Sequence, residues 1–417
     1  MAEMPSSEVA VTGLGLVTAG GIGVEATWRT LCAGVSTARR DPILAGLPVD
    51  VCCAVPGFDG DAHLGRRLSR RMDRPAQMTV VAAREALADA ALDPRTWDPT
   101  RVGVIIGSGG PSMESLTEAM AKLAADRATS ISPAALPRSL PNTPGTEVAL
   151  DLGAQGTNFA PAAGCASGAT ALGIARDLVR AGTLDIAFAG GTDTMCNRIT
   201  AAAFAQLGAL STRSGDPDQA CRPFDADRDG FVLGEGIGIL VLERLEHARA
   251  RRARVRALLS GYGSANDAYH VTAPHPDGRG ARLATLAALA DAGWSPGDVD
   301  HINAHGTGTV LNDAAEARFL AATFDRCPPV TAVKSILGHA GGAGGAIEAA
   351  VTVLTLEHGS IPPTANHHRT DPDMDLDVVA KAPRRPTRLN TAISTSVAFG
   401  GQNAVLAFRA ATSGAPA

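Results

Sequence analysis

Short apolar runs rich in valine, isoleucine and leucine alternate with alanine-rich stretches along almost the whole chain, and this alternation restricts the fold more than any other feature. Strands are expected at Val9 to Val11, Val102 to Ile106, Ile186 to Ala189, Ile237 to Leu242 and Arg254 to Ser264. A second series follows at His301 to Ala304, Thr331 to Val333, Thr391 to Ser396 and Ala404 to Arg409. Helices are expected over Ala76 to Ala91, from just after Cys165 to about Arg180, over Gly280 to Ala292 and over Ala343 to Leu356. Strands alternating with helices of this length indicate α/β layering. With 46 glycines and only 4% aromatic residues, the layers must meet by close backbone approach, not through large rings.

A chain of 417 residues that is 45% hydrophobic can bury a large core, and length alone suggests two or three domains. The charge-laced stretch Glu243 to Arg256 reads as a junction, dividing the chain into residues 1–254 and 255–411, with 412–417 as a disordered tail. Pro133, Pro137, Pro141 and Pro144 mark a packed, irregular loop region ahead of Cys165.

Several functional classes are disfavoured. A net charge of −5 gives no basic field for nucleic acid. No apolar run approaches the roughly 20 residues of a membrane-spanning helix, and Met1 to Ser7 lacks the basic and apolar regions of a secretory signal. Seven cysteines with no Cys-x-x-Cys spacing point to reduced thiols in a cytoplasmic setting and against a cysteine-bound metal.

Cys165 carries the first positive signal. The run from Asn158 to Ala169 turns from an apolar, strand-like segment through Gly164, Ala166 and Gly168 into an amphipathic helix. A thiol at such an elbow projects from a tight turn, where a helix N-terminus is expected to favour the thiolate. The small neighbours let a carbonyl approach the backbone. A lone cysteine is otherwise most often a buried structural residue. Two histidine motifs strengthen the catalytic reading: Asn303-Ala304-His305-Gly306-Thr307-Gly308-Thr309 at a strand end, and Lys334-Ser335-Ile336-Leu337-Gly338-His339 before a helix that contains Glu348. Each histidine is flanked by glycine, so backbone and ligand can come close.

With these motifs the chain resembles the β-ketoacyl carrier-protein synthases, most closely their synthase II branch. Further matching segments are Val11 to Gly15, Ala189 to Asp193, Arg222 to Gly236, Asn266 to His270 and Phe399 to Asn403. The resemblance implies the thiolase-type fold, two halves related by a pseudo-twofold in an α/β/α/β/α arrangement. It implies that Cys165 accepts an acyl group from a carrier-protein thioester, that the backbone N–H groups of Cys165 and Phe399 form the oxyanion hole, and that His305 and His339 stabilise the enolate left when malonyl carrier protein loses carbon dioxide. Lys334 and Glu348 match a polar network ordering the second histidine, with Lys334 read as a structural ion-pair partner. Thr307 and Thr309 match the lining of the phosphopantetheine tunnel. Asp267 belongs to a mobile loop beside a gate formed by Phe399, Gly400 and Gly401. No metal, nicotinamide or flavin is implied. The partners implied are an acyl carrier protein and, because the strand before Cys165 (Phe159 to Ala163) pairs across a twofold, a second identical or related subunit.

Acidic carrier proteins need a basic landing patch, and Arg66, Arg67, Arg70, Arg71 and Arg74 form a suitable run. Elsewhere that patch is thin, with Gly208, Thr129 and Ser130 at positions often basic in the family, which points to a dedicated carrier. Ala398 and Gln402 in the gate, Ala162-Ala163-Gly164 before the nucleophile, and Val310 also depart from the common pattern and point to polyketide or unusual fatty-acyl synthesis. Gly110 stands where a branched side chain often closes the acyl pocket, so longer or bulkier acyl groups are expected. Two other readings remain open: an acyltransferase or cyclase on the same acyl-cysteine, and a non-catalytic chain-length subunit, which Cys165, His305 and His339 argue against.

Overall fold

The computed structural model describes residues 8–411; the tail reading at 412–417 and the reading of Met1 to Ser7 fall outside them. Ten strands form one continuous path. In chain order they are β1 (Val9–Thr18), β2 (Val102–Gly107), β3 (Asn158–Phe159), β4 (Ile186–Thr194), β5 (Leu233–Arg244), β6 (Ala257–Asn266), β7 (His301–Asn303), β8 (Val330–Thr331), β9 (Thr391–Val397) and β10 (Gln402–Ala410). Six helices position the site: α1 (Arg74–Asp89), α2 (Thr143–Leu152), α3 (Ser167–Arg180), α4 (Arg279–Ala292), α5 (Val310–Thr323) and α6 (Gly344–His358).

The strand order is β3-β2-β4-β5-β1 in the first half and β8-β7-β9-β10-β6 in the second. In each set the first three strands run parallel and the last two join antiparallel. The helices α1, α2, α3 and α4, α5, α6 fall at matching places between the strands. This duplication, invisible residue by residue, is plain in the connectivity. The two sets meet where Ala10 and Val11 of β1 pair with Leu258 and Ala257 of β6.

Helix α1 covers the outer face of the first set and α4 that of the second, while α3 and α6 pack together between the sheets. A helix buried all round needs apolar or small residues on every face, and α6 is buried from Gly344 to Leu356. Contact between the central helices is close: a Cβ on Gly168 would sit 2.9 Å from that of Ala346, and one on Gly345 would sit 3.0 Å from that of Ala169. This explains how so glycine-rich and aromatic-poor a chain packs densely.

The proline-rich segment departs from expectation. It contains a helix at Ala135–Ser139 and all of α2, and is not irregular throughout. Pro144 lies in the first turn of α2, where its missing N–H removes no helical bond.

Candidate active site

Both halves place a tight turn at the start of their central helix. Gly164 (φ 54°) precedes Cys165 ahead of α3, and Gly341 (φ 52°) opens the corresponding turn ahead of α6. The left-handed φ suits glycine at both positions. Ser167 holds the first turn, donating from Oγ to the Gly164 carbonyl at 2.6 Å and accepting from the Ala163 N–H at 2.9 Å.

His339, on the loop ahead of the second turn, brings Nε2 to 3.1 Å from Cys165 Sγ. His305, on the loop after β7, stands edge-on to His339 with ring centroids 5.4 Å apart. The Phe399 N–H is directed at the sulfur. Together, Cys165, His305, His339, Thr307 and Thr309 line one cavity of about 250 Å³.

The expectation of a resting thiolate requires correction. Burial pushes the Cys165 thiol up to about 11, with Lys334 pulling the other way, and so outweighs the helix terminus. Burial also drives both imidazoles well below their ordinary value, with the Lys334 charge acting in the same direction. The resting thiol and imidazole are therefore neutral, and Nε2 of His339 is placed to take the proton when sulfur attacks.

The Lys334–Glu348 pair orders the first histidine, not the second. Lys334 Nζ donates to Glu348 Oε1, to the His305 carbonyl at 2.7 Å and to His305 Nδ1 at 3.1 Å. All three ammonium donors are thus spent. With Nδ1 accepting, His305 must carry its proton on Nε2, and Lys334 acts as a positioning residue. Burial raises Glu348 to about 7 against the pull of Lys334. His339 Nδ1 has no partner among the described residues, so its Nε2 is free to accept from a thiol or donate to an oxyanion.

Sequence reasoning gave no role to Glu316, Thr395 or Asp193. Glu316 of α5 is buried and accepts from the His305 N–H at 2.9 Å and the Gly306 N–H at 2.7 Å; Thr395 Oγ1 accepts from the same His305 N–H at 3.0 Å. The available signal was Asp313 and Glu316, about one turn apart in the helix that follows the His305 loop. Asp193 accepts from the N–H groups of Gly109, at 3.0 Å, and Gly342, tying the loop after β2 to the second turn.

Thr307 and Thr309 pair through their hydroxyls at 2.9 Å, and Thr309 also caps α5 by accepting from the Asn312 N–H. Asp267, by contrast, lines neither cavity beside Cys165. Its carboxylate is spent on the N–H groups of His275 and Gly280 and the Asn403 amide, each at 3.0 Å, so it anchors the loop instead of offering a substrate contact. Gly400 and Gly401 are also absent from both linings and supply left-handed backbone, at φ 83° and 74°, beside Phe399.

Phe399, Phe204, Met195 and Cys165 stand between the first cavity and a second of about 310 Å³ that includes Gly110. A Cβ on Gly110 would meet nothing within 4 Å. Gly110→Phe is therefore expected to exclude long acyl chains, by about fourfold per lost methylene at ~0.8 kcal/mol each, while acetyl or butyryl transfer to Cys165 suffers least. Acyl-length profiles by intact mass would check this, and a profile matching the unmodified protein would show that Gly110 does not bound the pocket.

Arg66, Arg67, Arg70 and Arg71 are exposed, with Arg71 paired to Glu147. None lines either cavity. Arg74 leaves the basic run: its guanidinium binds Glu235 through Nε at 3.0 Å and Nη2 at 2.6 Å and lies over the Phe58 ring. No lysine or arginine lines the first cavity. Its mouth carries exposed Leu207, Val310 and Leu311 together with Gly208.

Residues 6–248 match the family model for the β-ketoacyl synthase N-terminal domain, and residues 256–368 match that for the C-terminal domain. The chain belongs to the β-ketoacyl synthase family. This synthase is 39% identical over 409 residues to 3-oxoacyl-[acyl-carrier-protein] synthase 2 of Staphylococcus aureus, covering 97% of this chain and 98% of the relative. It is equally similar, at 39% over 416 residues, to the protein of that name from Synechocystis, covering 98% and 99% of the two chains. A solved β-ketoacyl synthase from Burkholderia phymatum superposes with a TM-score of 0.92 at 33% identity, covering 97% of this chain and all of that one. The ishigamide ketosynthase/chain length factor structure gives 0.91 at 36%, covering 98% of this chain and all of that one. A type II PKS acyl-carrier protein in complex with its ketosynthase bound to the hexaketide gives 0.90 at 32%, again covering 98% and 100%. This synthase is accordingly a condensing acyltransferase of thiolase-type fold. Among its described residues no helix is long and apolar enough to cross a membrane.

Proposed function

We propose that the synthase moves an acyl group from a carrier-protein thioester to Cys165 and extends it with malonyl carrier protein, in polyketide or specialised fatty-acyl assembly. One observation carries this reading: the Cys165 sulfur 3.1 Å from the Nε2 of His339, in the cavity that also holds His305, whose Nδ1 accepts from Lys334. In the first half-reaction His339 takes the thiol proton as sulfur attacks, the oxyanion faces the N–H groups of Cys165 and Phe399, and the proton passes to the departing pantetheine thiolate. In the second, carbon dioxide leaves its bonding electrons in an enolate held by the two imidazole N–H groups. That carbanion attacks the acyl carbon and expels the Cys165 thiolate. Decarboxylation supplies the electron pair, so the bond formed requires no redox cofactor, and the substrates arrive on the phosphopantetheine arm of an acyl carrier protein.

The synthase is expected to act as a homodimer or beside a related chain-length subunit. Strand β3 pairs only with β2 and leaves its other edge open. Exposed Leu150 lies on α2, which packs against β3, and exposed Met120, Leu123, Leu136 and Leu140 lie in the segment that precedes α2. Two solved relatives are likewise described with a chain length factor or a carrier protein.

Native and intact mass spectrometry with acyl and malonyl carrier proteins test both parts. The expected result is a dimer, one acyl adduct, carbon dioxide release and a two-carbon longer product. An adduct without carbon dioxide release would favour the acyltransferase or cyclase, and a stable active monomer would overturn the assembly.

A further inference from the structure

We infer that the second cavity selects acyl chains carrying an oxygen acceptor away from the thioester, and that Arg138 reads it. The inference rests on Cys165 being the acyl-accepting residue and specifies which acyl groups reach it. Arg138 lies in the helix Ala135–Ser139 and is the only lysine or arginine lining this cavity. The Ser139 carbonyl accepts from the Ser112 N–H at 3.0 Å, tying that helix to the loop following Gly110.

The wall around Arg138 is largely apolar, with Met113, Leu140 and Pro144 among its residues. Several of the polar groups that share it are already occupied, while the hydroxyl residues Thr194 and Thr200 also line it. Ser108 Oγ donates to the Gly110 carbonyl at 2.7 Å, Ser112 Oγ donates to Asp73 at 2.9 Å, and Asn197 accepts from the Thr200 N–H at 3.0 Å. Arg138 differs. Its Nη2 donates to the Arg70 carbonyl, but its buried Nε has no partner among the described residues. Of five guanidinium N–H donors, only the one to Arg70 has a partner among the described residues.

A saturated chain filling this cavity would lay methylenes against those donors and strip their water without replacement, which is costly for a charged group. A ketone or carboxylate oxygen on the chain would accept from them. A site that offers a hydrogen bond discriminates strongly against the analogue lacking the acceptor. Oxo-acyl chains and half-thioesters of dicarboxylic acids share the required chemistry.

The test compares the rates at which octanoyl, 5-oxooctanoyl, 7-oxooctanoyl and 7-carboxyheptanoyl pantetheine thioesters acylate Cys165, read by intact mass. At least one oxygenated chain is expected to react about tenfold faster than octanoyl, the scale of one hydrogen bond to a charged group. In Arg138→Met that ratio should fall to about one; because it is a ratio within one preparation, partial misfolding cancels. Arg138→Lys should retain a preference for the carboxylate if dicarboxylic chains are the natural class, and lose most of its preference if the oxo chains are. A ratio near one in the unmodified synthase, or one unchanged in Arg138→Met, would overturn the role of Arg138. Failure of every probe, octanoyl included, to label Cys165 would instead overturn the acyl-enzyme reading, and this inference with it.

Discussion

Cys165→Ala is expected to abolish the covalent acyl adduct, so that intact mass shows one acyl group on the unmodified synthase and none on the variant. The other six cysteines, all free, do not lie against a histidine nitrogen in the way that Cys165 lies against His339. The direction of the thiol shift adds a second readout. With the thiol pushed up to about 11 by burial, the protonated form dominates at neutral pH. Iodoacetamide labelling of Cys165 without substrate should therefore climb about tenfold per pH unit well past neutrality. A plateau at neutral pH would mean that the thiol is already ionised. An adduct at full occupancy in Cys165→Ala would remove the nucleophile assignment altogether.

The reacting groups were legible in the sequence because each sits next to glycine in a turn or loop between elements, a local pattern that needs no tertiary information. The layered architecture was legible for a similar reason: the short apolar runs Val9 to Val11, Val102 to Ile106, Ile186 to Ala189 and Ile237 to Leu242 each fall inside a strand, although β1, β4 and β5 extend beyond them through glycine and polar residues. What escaped was the choice of partner inside the core. Lys334 follows a strand and precedes His339, yet its ammonium reaches His305, twenty-nine residues earlier in the chain. Arg74 stands in a basic run, yet α1 turns it onto Glu235. Asp267 reads as a polar loop residue and proves to be the clasp of that loop. Such outcomes depend on which carboxylate or carbonyl the fold brings near a buried charge, since a buried charge must find one. The thiol followed the same rule: the helix terminus predicted a thiolate, and the loss of solvent decided otherwise.

His305→Ala and His339→Ala are each expected to slow malonyl decarboxylation by about two to three orders of magnitude, the usual cost of removing one donor from a developing oxyanion. The two variants should differ in the half-reaction that precedes it. His305 presents Nε2–H because Lys334 holds Nδ1, an arrangement suited to donating to an enolate oxygen and to nothing basic. His339 touches the sulfur and has an unclaimed Nδ1, so its loss should also slow acylation of Cys165. In His305→Ala, acylation should therefore lose much less than carbon dioxide release, whereas in His339→Ala the two should fall together more nearly in step. Stopped-flow acylation and labelled carbon dioxide release, measured on the same preparations, separate the cases. Undiminished decarboxylation in both variants would contradict enolate stabilisation. An acylation defect larger in His305→Ala than in His339→Ala would mean that the proton leaves sulfur by way of the Lys334 side of the site, which would make Lys334 an acid–base participant and not a clamp on the His305 tautomer.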